Sequence, residues 1–228
     1  QFHFLKGSLM SIKNVFLLLF LLTTICLVGA CSDEDTPLVV PPATPPGYAS
    51  ADLMIAAFKQ AYDDMDASIL QNVIHEDYQM FLQQSTIQEF PRVGPILDRA
   101  EELRIAERMF SGTPLIDPDG ALVQAISSVS VALFEQQTAW TEIGPGLDFA
   151  GEQMALFDVT FIFDRPGSSS LKIIGVLKIM AAARDTTIGG TEHTYWQMIG
   201  QQDLSKGAKI GVENTAWGEL KAMFWIGE

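Results

Sequence analysis

The stretch MALFDVTFIFD, residues 154–164, alternates between two kinds of side chain, and this alternation decides the fold. Positions 157, 159, 161 and 163 carry Phe, Val, Phe and Phe, whereas Asp158, Thr160 and Asp164 stand among the positions between them. Successive side chains of a strand point to opposite faces of its sheet. The period of two therefore predicts a strand with one apolar, buried face and one more polar face.

Three further runs on either side have the same character. Residues 122–134, 171–182 and 193–203 are alternating or almost continuously apolar, which predicts strands. The turn sequences Arg165-Pro-Gly-Ser168 and Ile188-Gly-Gly190 separate consecutive runs. Short turns of this kind join neighbouring antiparallel strands, so the second half of the chain predicts an antiparallel meander.

The first half of the domain has a helical period instead. Ser50 is a suitable N-cap, and Met54, Phe58 and Tyr62 follow at spacings that place them on one helical face. Asp66 can cap a second, shorter helix, and residues 78–82 predict a first strand. Helices followed by an antiparallel meander define the α+β class.

A third helix is predicted after Pro95. Its apolar positions recur at helical spacing, which predicts that they face the core. We expect the inward positions to be Ile96, Ala100, Leu103, Ala106 and Phe110. Ser111 and Gly112 are a suitable end for this helix.

The N-terminal segment has the features of an export signal. Residues 15–28 contain no charge, Lys13 precedes them, and Val28-Gly29-Ala30-Cys31 follows. Fourteen apolar residues are fewer than the roughly 20 of a membrane span and suit a signal peptide. Residues 28–31, Val-Gly-Ala-Cys, resemble the lipobox of bacterial lipoproteins. This resemblance implies a lipid on Cys31, the first mature residue. We expect Cys31 to anchor the protein to a membrane, and the outer membrane of the cell envelope is predicted, with its periplasmic and surface sides left open.

These features divide the chain into three parts. Residues 1–30 are interpreted as upstream residues plus the signal peptide, residues 31–49 as an acidic, proline-rich tether, and residues 50–228 as the folded domain. The formal charge of the whole chain is −14, and loss of Lys6 and Lys13 with the signal peptide makes it −16. A chain this acidic lacks the basic surface that binds nucleic acid through its phosphates, so we expect no nucleic-acid partner.

Several short sequences in the domain resemble a known superfamily. Phe58-Lys-Gln-Ala-Tyr62 with Asp66, then Ile74-His-Glu-Asp-Tyr78, form a helical and aromatic opening, and Trp196 and the segment 214–221 follow near the end. With the order of the predicted elements, this resembles the nuclear transport factor two-like (cystatin-like α+β) superfamily, which includes SnoaL-like polyketide cyclases and ketosteroid isomerases. The resemblance implies a cone in which N-terminal helices pack on a strongly curved antiparallel sheet around a pocket.

Two residues are candidates for acid–base chemistry in such a pocket. Asp158 lies in the middle of a strand, and His193 begins another, so the pair could supply a general acid and a general base. Both residues also suit an exposed strand surface, because Asp is seldom buried without a partner and a lone His at a strand start is usually exposed. We expect no metal and no cofactor, since the mature chain has only two His, far apart in sequence, and no pattern of metal ligands.

Aromatic residues at strand and helix spacing are candidates to line an apolar pocket, although the same pattern is typical of a plain core. They are Phe58, Tyr62, Phe157, Phe161, Tyr195 and Trp196. Because the superfamily includes enzymes, carriers and scaffolds, the fold alone does not decide between functions.

Three functions therefore stay open. The first, which we expect, is a non-catalytic module that binds a small apolar ligand or a protein partner, including a second copy of the chain through the sheet. The second is a cofactor-independent cyclase, isomerase or dehydratase with Asp158 and His193 as acid and base. The third is a purely structural protein of the cell envelope.

Overall fold

In a computed structural model, the described residues are 46–117, 120–204 and 216–225. They form an α+β domain in which helices pack on one large, mostly antiparallel sheet. The helices are α1 (Ala51–Asp63), α2 (Ala67–Val73), α3 (Gln84–Glu89), α4 (Arg99–Phe110) and α5 (Trp217–Phe224). The strands of the large sheet are β1 (Ile74–Phe81), β2 (Ile96–Asp98), β5 (Ser128–Gln136), β6 (Thr141–Glu142), β7 (Gln153–Asp164), β8 (Leu171–Ile188) and β9 (Thr191–Asp203), and β3 (Leu115–Ile116) pairs separately with β4 (Leu122–Val123).

Local capping sets the starts of the first two helices, as the sequence predicts. The Ser50 hydroxyl accepts a hydrogen bond from the Leu53 backbone N–H at 3.2 Å, and Asp66 accepts one from the Ser68 N–H at 2.8 Å. Each bond satisfies a backbone donor that the first turn of a helix leaves unpaired. The buried side of α1 includes Phe58 and Tyr62, both at most 1% exposed.

Helix α4 starts later than predicted and buries a different face. Asp98 caps it, accepting from the Glu101 N–H at 2.9 Å, while the Glu101 carboxylate accepts from the Asp98 N–H at 3.1 Å. This reciprocal capping box fixes the helix start three residues beyond the predicted position at Ile96, which instead is an exposed strand residue. The buried positions are therefore Glu102, Ile105, Ala106 and Met109.

The strands pair in the order β2-β1-β9-β8-β7-β5, and β6 adds to β7. Every neighbouring pair is antiparallel except β1 and β9, which are parallel. Register shifts between Val131 and Leu133 and between Met180 and Ala181 mark bulges, which bend a sheet and increase its twist. The result is the curved, antiparallel-dominated sheet that the sequence predicts.

The hairpin of β8 and β9 extends well past the predicted strand ends. Its turn residues Gly189 and Gly190 have φ values of +58° and +84°, a conformation that suits glycine and matches the twist of a two-residue hairpin. Pairing therefore continues to Ile188 and Thr191, directly beside the turn.

The two faces of β7 differ as the alternation predicts. Phe157, Val159, Phe161 and Phe163 are all buried on the inner face, against the helices, and the residues between them lie on the opposite face with intermediate exposure. The main core thus lies between the inner face of the sheet and the helices.

Candidate functional site

Asp158 lies on the outer face of the sheet, away from the core. Its cross-strand neighbours are Val176 on β8 and Glu135 on β5, and its carboxylate accepts a hydrogen bond from the Gln137 side chain at 2.5 Å. The side chain is half-buried among these groups and does not enter the interior between sheet and helices.

His193 lies far from Asp158 and is exposed. It pairs with Thr186 in the hairpin of β8 and β9, ten residues along β8 from Val176, the partner of Asp158. At about 3.3 Å per residue, the separation along the strand is roughly 30 Å. An acid and a base must both reach one substrate, so the predicted Asp158–His193 pair has no support in this geometry.

Four of the six predicted pocket residues do come together inside the domain. Phe58 and Tyr62 have ring centroids 5.0 Å apart, Tyr62 and Phe161 are 5.5 Å apart, and Phe134 joins Phe58 to Phe157. The other two, Tyr195 and Trp196, are half-buried on β9, where Trp196 exchanges two backbone hydrogen bonds with Tyr48.

Helix α5 occupies the space next to this aromatic cluster. The Trp217 ring lies 4.6 Å from Phe161, 5.1 Å from Tyr62 and 6.5 Å from Phe58, centroid to centroid, and it is fully buried. Leu220, Lys221 and Phe224 of the same helix are also buried. Side chains therefore fill the interior around these predicted pocket residues, at the density of an ordinary protein core.

A charged cluster lies within this packed interior. The Lys221 ammonium donates to Glu102 Oε1 at 2.5 Å and to the Tyr62 hydroxyl at 2.6 Å, and it lies 5.1 Å from the ring centroids of both Tyr62 and Trp217. Glu102 and Lys221 are 1% and 0% exposed. We call Tyr62, Glu102 and Lys221 the buried triad.

Burial controls the titration of this region. It lowers the pKa of Lys221, because a charged ammonium is poorly solvated there, and the Glu102 carboxylate opposes the shift. Burial also raises the pKa of Tyr62 and of Tyr78 well above the ordinary value, and the negative charge of Glu102 adds to both shifts. The two phenols therefore stay protonated while their surroundings remain folded.

Some polar atoms around the triad are incompletely satisfied. Within the described ranges, Glu102 Oε2, Trp217 Nε1 and Gln201 Nε2 have no hydrogen-bond partner, although the Tyr78 hydroxyl donates to Gln201 Oε1 at 3.1 Å. An unsatisfied buried polar atom costs stability, so this region is not optimised as a plain apolar core.

A surface cavity of about 250 Å³ lies at another place, where three segments meet. It is lined by residues 89–93 at the end of α3, by Asp117 and by Trp225, which follows α5. We call it the Trp225 cavity. Its walls combine the aromatic rings of Phe90 and Trp225 with three charged side chains, Glu89, Arg92 and Asp117.

A third feature, on β1, has the residue types of a metal site. The ligand atoms of His75, Glu76 and Asp77 lie within 4.8 Å of one another. However, His75 Nδ1 already accepts the Asp77 backbone N–H at 3.1 Å, and the two carboxylates are exposed. Three consecutive residues of one strand with one committed nitrogen do not make a built metal centre.

The predicted lipid anchor lies outside the described residues. Cys31, the signal peptide and the tether up to residue 45 all precede the first described residue. None of the helices in the described part of the chain has the length and apolar character needed to span a membrane.

Neither Glu102 nor Lys221 is among the site residues predicted from the sequence. The Asp98-x-x-Glu101 pattern was a usable signal for the helix start, and helical spacing then places Glu102 on the same face as Ile105, Ala106 and Met109. Nothing local signals its partner, since Lys221 lies 119 residues further along the chain.

Comparisons with known proteins give structural likeness only. No family model matches the chain, and no curated protein matches it in sequence. A candidate aromatic ring hydroxylase from Novosphingobium aromaticivorans is similar over 75% of this chain and 92% of its own, with a TM-score of 0.46 and 12% identity. An NTF2-like protein of unknown function in nutrient uptake from Rhodospirillum rubrum is similar over 69% of this chain and 99% of its own, with a TM-score of 0.40 and 9% identity.

A candidate Ca/calmodulin-dependent kinase II association domain from Exiguobacterium sibiricum is also similar, over 73% of this chain and all of its own, with a TM-score of 0.33 and 10% identity. Every one of these TM-scores is below 0.5 and every identity is at or below 12%. The α+β fold class therefore rests on the helices, strand order and register described above.

Proposed function

We propose that this chain is an exported, lipid-anchored protein whose nuclear transport factor two-like domain is a non-catalytic binding module, and that it acts as a homodimer through the outer face of its sheet. The anchor is supported by Cys31 at the end of the apolar run, and the fold family by the order of helices and strands.

One observation carries the proposal, namely the apolar character of the outer sheet face. Its aliphatic members lie on three neighbouring strands at positions diagonal to one another: Leu133, Leu156, Ile162, Ile174 and Val176. Their direct cross-strand partners are polar residues, among them Thr160, Lys172 and Lys178. Ile174, the fourth residue of β8, is 54% exposed although it is aliphatic. Aliphatic side chains that neighbour one another diagonally, with polar groups between them, form a mixed surface of the kind found at non-obligate protein interfaces.

The charges on this face favour a second copy of the chain as the partner. Lys172 and Lys178 stand on β8, while Asp158 and Glu135 stand on β7 and β5 across the same face. An isologous contact presents one surface to itself, so it needs both signs of charge on that surface. A two-fold arrangement can place the lysine side of one copy against the acidic side of the other.

The packed interior favours the outer sheet face over the inside of the domain as the binding site. Trp217 and the buried triad fill the space beside the aromatic cluster, so a small apolar ligand would have to displace packed side chains. The separation of Asp158 from His193 likewise offers no support for the cyclase, isomerase or dehydratase alternative.

The oligomeric state of the mature protein tests the proposal. Sedimentation equilibrium of the mature chain in mild detergent is expected to show a dimer, and Ile174→Asp is expected to convert it to a monomer, because an unpaired charge would then be buried in the contact. Ile116→Asp is the matched control, since Ile116 is 57% exposed in the separate β3–β4 hairpin. A monomeric wild type, or dimers that resist Ile174→Asp, would overturn the dimer.

Membrane fractionation tests the anchor separately. Cys31→Ser is expected to move the protein from the membrane to the soluble fraction, because no lipid can then be attached. Cys26→Ser is the control, since Cys26 lies inside the apolar run of the signal. Retention of the Cys31→Ser protein on membranes contradicts the anchor.

A further inference from the structure

The Trp225 cavity is bounded by residues that the proposed dimer does not use. Residues 89–93 form a turn in which the Phe90 N–H donates to Thr86 at 2.8 Å and the Val93 N–H donates to Phe90 at 3.0 Å. Val93 is buried and fixes this turn to the domain. The opposite side is the Asp117 turn, where the Asp117 carboxylate accepts the Ala121 N–H at 2.7 Å. The walls are therefore held by local hydrogen bonds.

The Trp225 ring is also held in a defined orientation. Its indole N–H donates to Glu101 Oε1 at 3.1 Å, and its backbone N–H donates to the Ala222 carbonyl at 3.2 Å. The same Glu101 closes the capping box of α4 through its other oxygen. A rigid aromatic wall needs no reordering when a ligand arrives, which favours binding.

The electrostatic character of the cavity is negative. Glu89 and Asp117 supply two formal negative charges against the single positive charge of Arg92. Each of these side chains has interactions of its own, so the balance of the lining as a whole, not a free carboxylate, sets the sign. The carboxyl end of α5 adds little to this balance, because the Arg108 guanidinium donates to the Phe224 carbonyl at 3.3 Å.

We propose that the Trp225 cavity binds a small organic amine, with its ammonium group near Glu89 and Asp117 and its apolar body between Phe90 and Trp225. An aromatic face attracts a cation in addition to burying apolar surface. The volume of about 250 Å³ lies just below the range of drug-sized pockets, roughly 300–1,000 Å³, so it suits a ligand the size of an arylalkylamine. A carboxylate of the same shape is disfavoured by the same charges.

Nuclear magnetic resonance titration of the mature full chain tests this site with two probes. Phenethylamine and 3-phenylpropionate share a ring and a short chain but carry opposite charges. The amine is expected to produce saturable shifts in the Trp225 indole N–H and in the backbone amides of residues 89–93, while the acid produces none. Glu89→Gln is expected to weaken amine binding at least threefold, and Glu76→Gln, which changes an exposed carboxylate on β1, is expected to leave it unchanged.

The outcomes separate this site from the dimer. Equal shifts with both probes, unsaturable shifts spread over acidic surfaces, or no shift at residues 89–93 would overturn the amine site. Trp225→Leu checks the aromatic wall, because amine binding followed at the Val93 amide should then be lost while the backbone spectrum elsewhere stays dispersed. Sedimentation of the same samples reports the oligomeric state independently, so either proposal can fail without the other.

Discussion

Lys221 Nζ and Glu102 Oε1 lie 2.5 Å apart with both side chains excluded from solvent, and they join the last helix of the described chain to the first turn of α4. A buried ion pair of this kind is expensive to desolvate, so its net contribution to stability is small while the loss of one partner is severe. The Tyr62 hydroxyl accepts a second bond from the ammonium, which makes the geometry more demanding.

Lys221→Met is expected to lower the free energy of unfolding by about 3–5 kcal/mol, because it leaves the Glu102 carboxylate buried without its cation. The double variant Lys221→Met with Glu102→Leu is expected to recover most of this loss. Urea unfolding measures both, and Lys59→Met on α1 is the control for removing a lysine that has no buried carboxylate partner. A double variant as unstable as the single one would refute the explanation.

Stability is expected to decline at alkaline pH because of the buried phenols. The pKa of Tyr78 is raised in the folded state by burial and by Glu102, whereas an unfolded tyrosine titrates near pH 10. The folded state therefore holds more protons above about pH 10, and the stabilising contribution, complete below that pH, is lost as pH rises through the folded pKa.

Tyr78→Phe tests this dependence. It is expected to flatten the decline above about pH 10.5 by up to about 1.4 kcal/mol per pH unit, the value for one proton. Urea unfolding at a series of alkaline pH values measures the slope, and Tyr195→Phe, at a half-buried position on β9, is the comparison. An unchanged slope in Tyr78→Phe contradicts the assignment.

The capping box of α4 is expected to stabilise the start of this helix. Asp98→Ala removes the acceptor for the Glu101 N–H and is expected to cost about 1 kcal/mol of unfolding free energy. Asp98→Asn keeps an oxygen at the same place and is expected to cost much less. Thermal and urea unfolding of the two variants give the comparison, and equal losses would show that the cap hydrogen bond does not determine the helix start.

Prediction from sequence succeeded where the cause is local. Ser50 and Asp66 cap α1 and α2 through bonds to residues two or three positions away, and the alternation of residues 154–164 corresponds to the two faces of β7. The hairpin at Gly189 and Gly190 is likewise set by the conformations that glycine permits. Each of these depends on neighbours in sequence.

Prediction failed for two different reasons. The apolar spacing predicts Ile96 and Ala100 on the inward face of α4, and the structure exposes both, because the local Asp98–Glu101 capping box starts the helix at Arg99. The pairing of Asp158 with His193 fails for a long-range reason, because the hairpin of β8 and β9 holds His193 ten residues along β8 from the cross-strand partner of Asp158.

The sequence by itself determined the α+β class, the acidic charge and the alternation that gives the sheet a buried and an outer face, because periodicity and capping act over a few residues. It also supports the prediction of a lipid anchor at Cys31. Only the tertiary structure decided what lies inside the domain. The burial of Lys221 against Glu102, and the meeting of residues 89–93 with Trp225, depend on distant segments that no local pattern brings together.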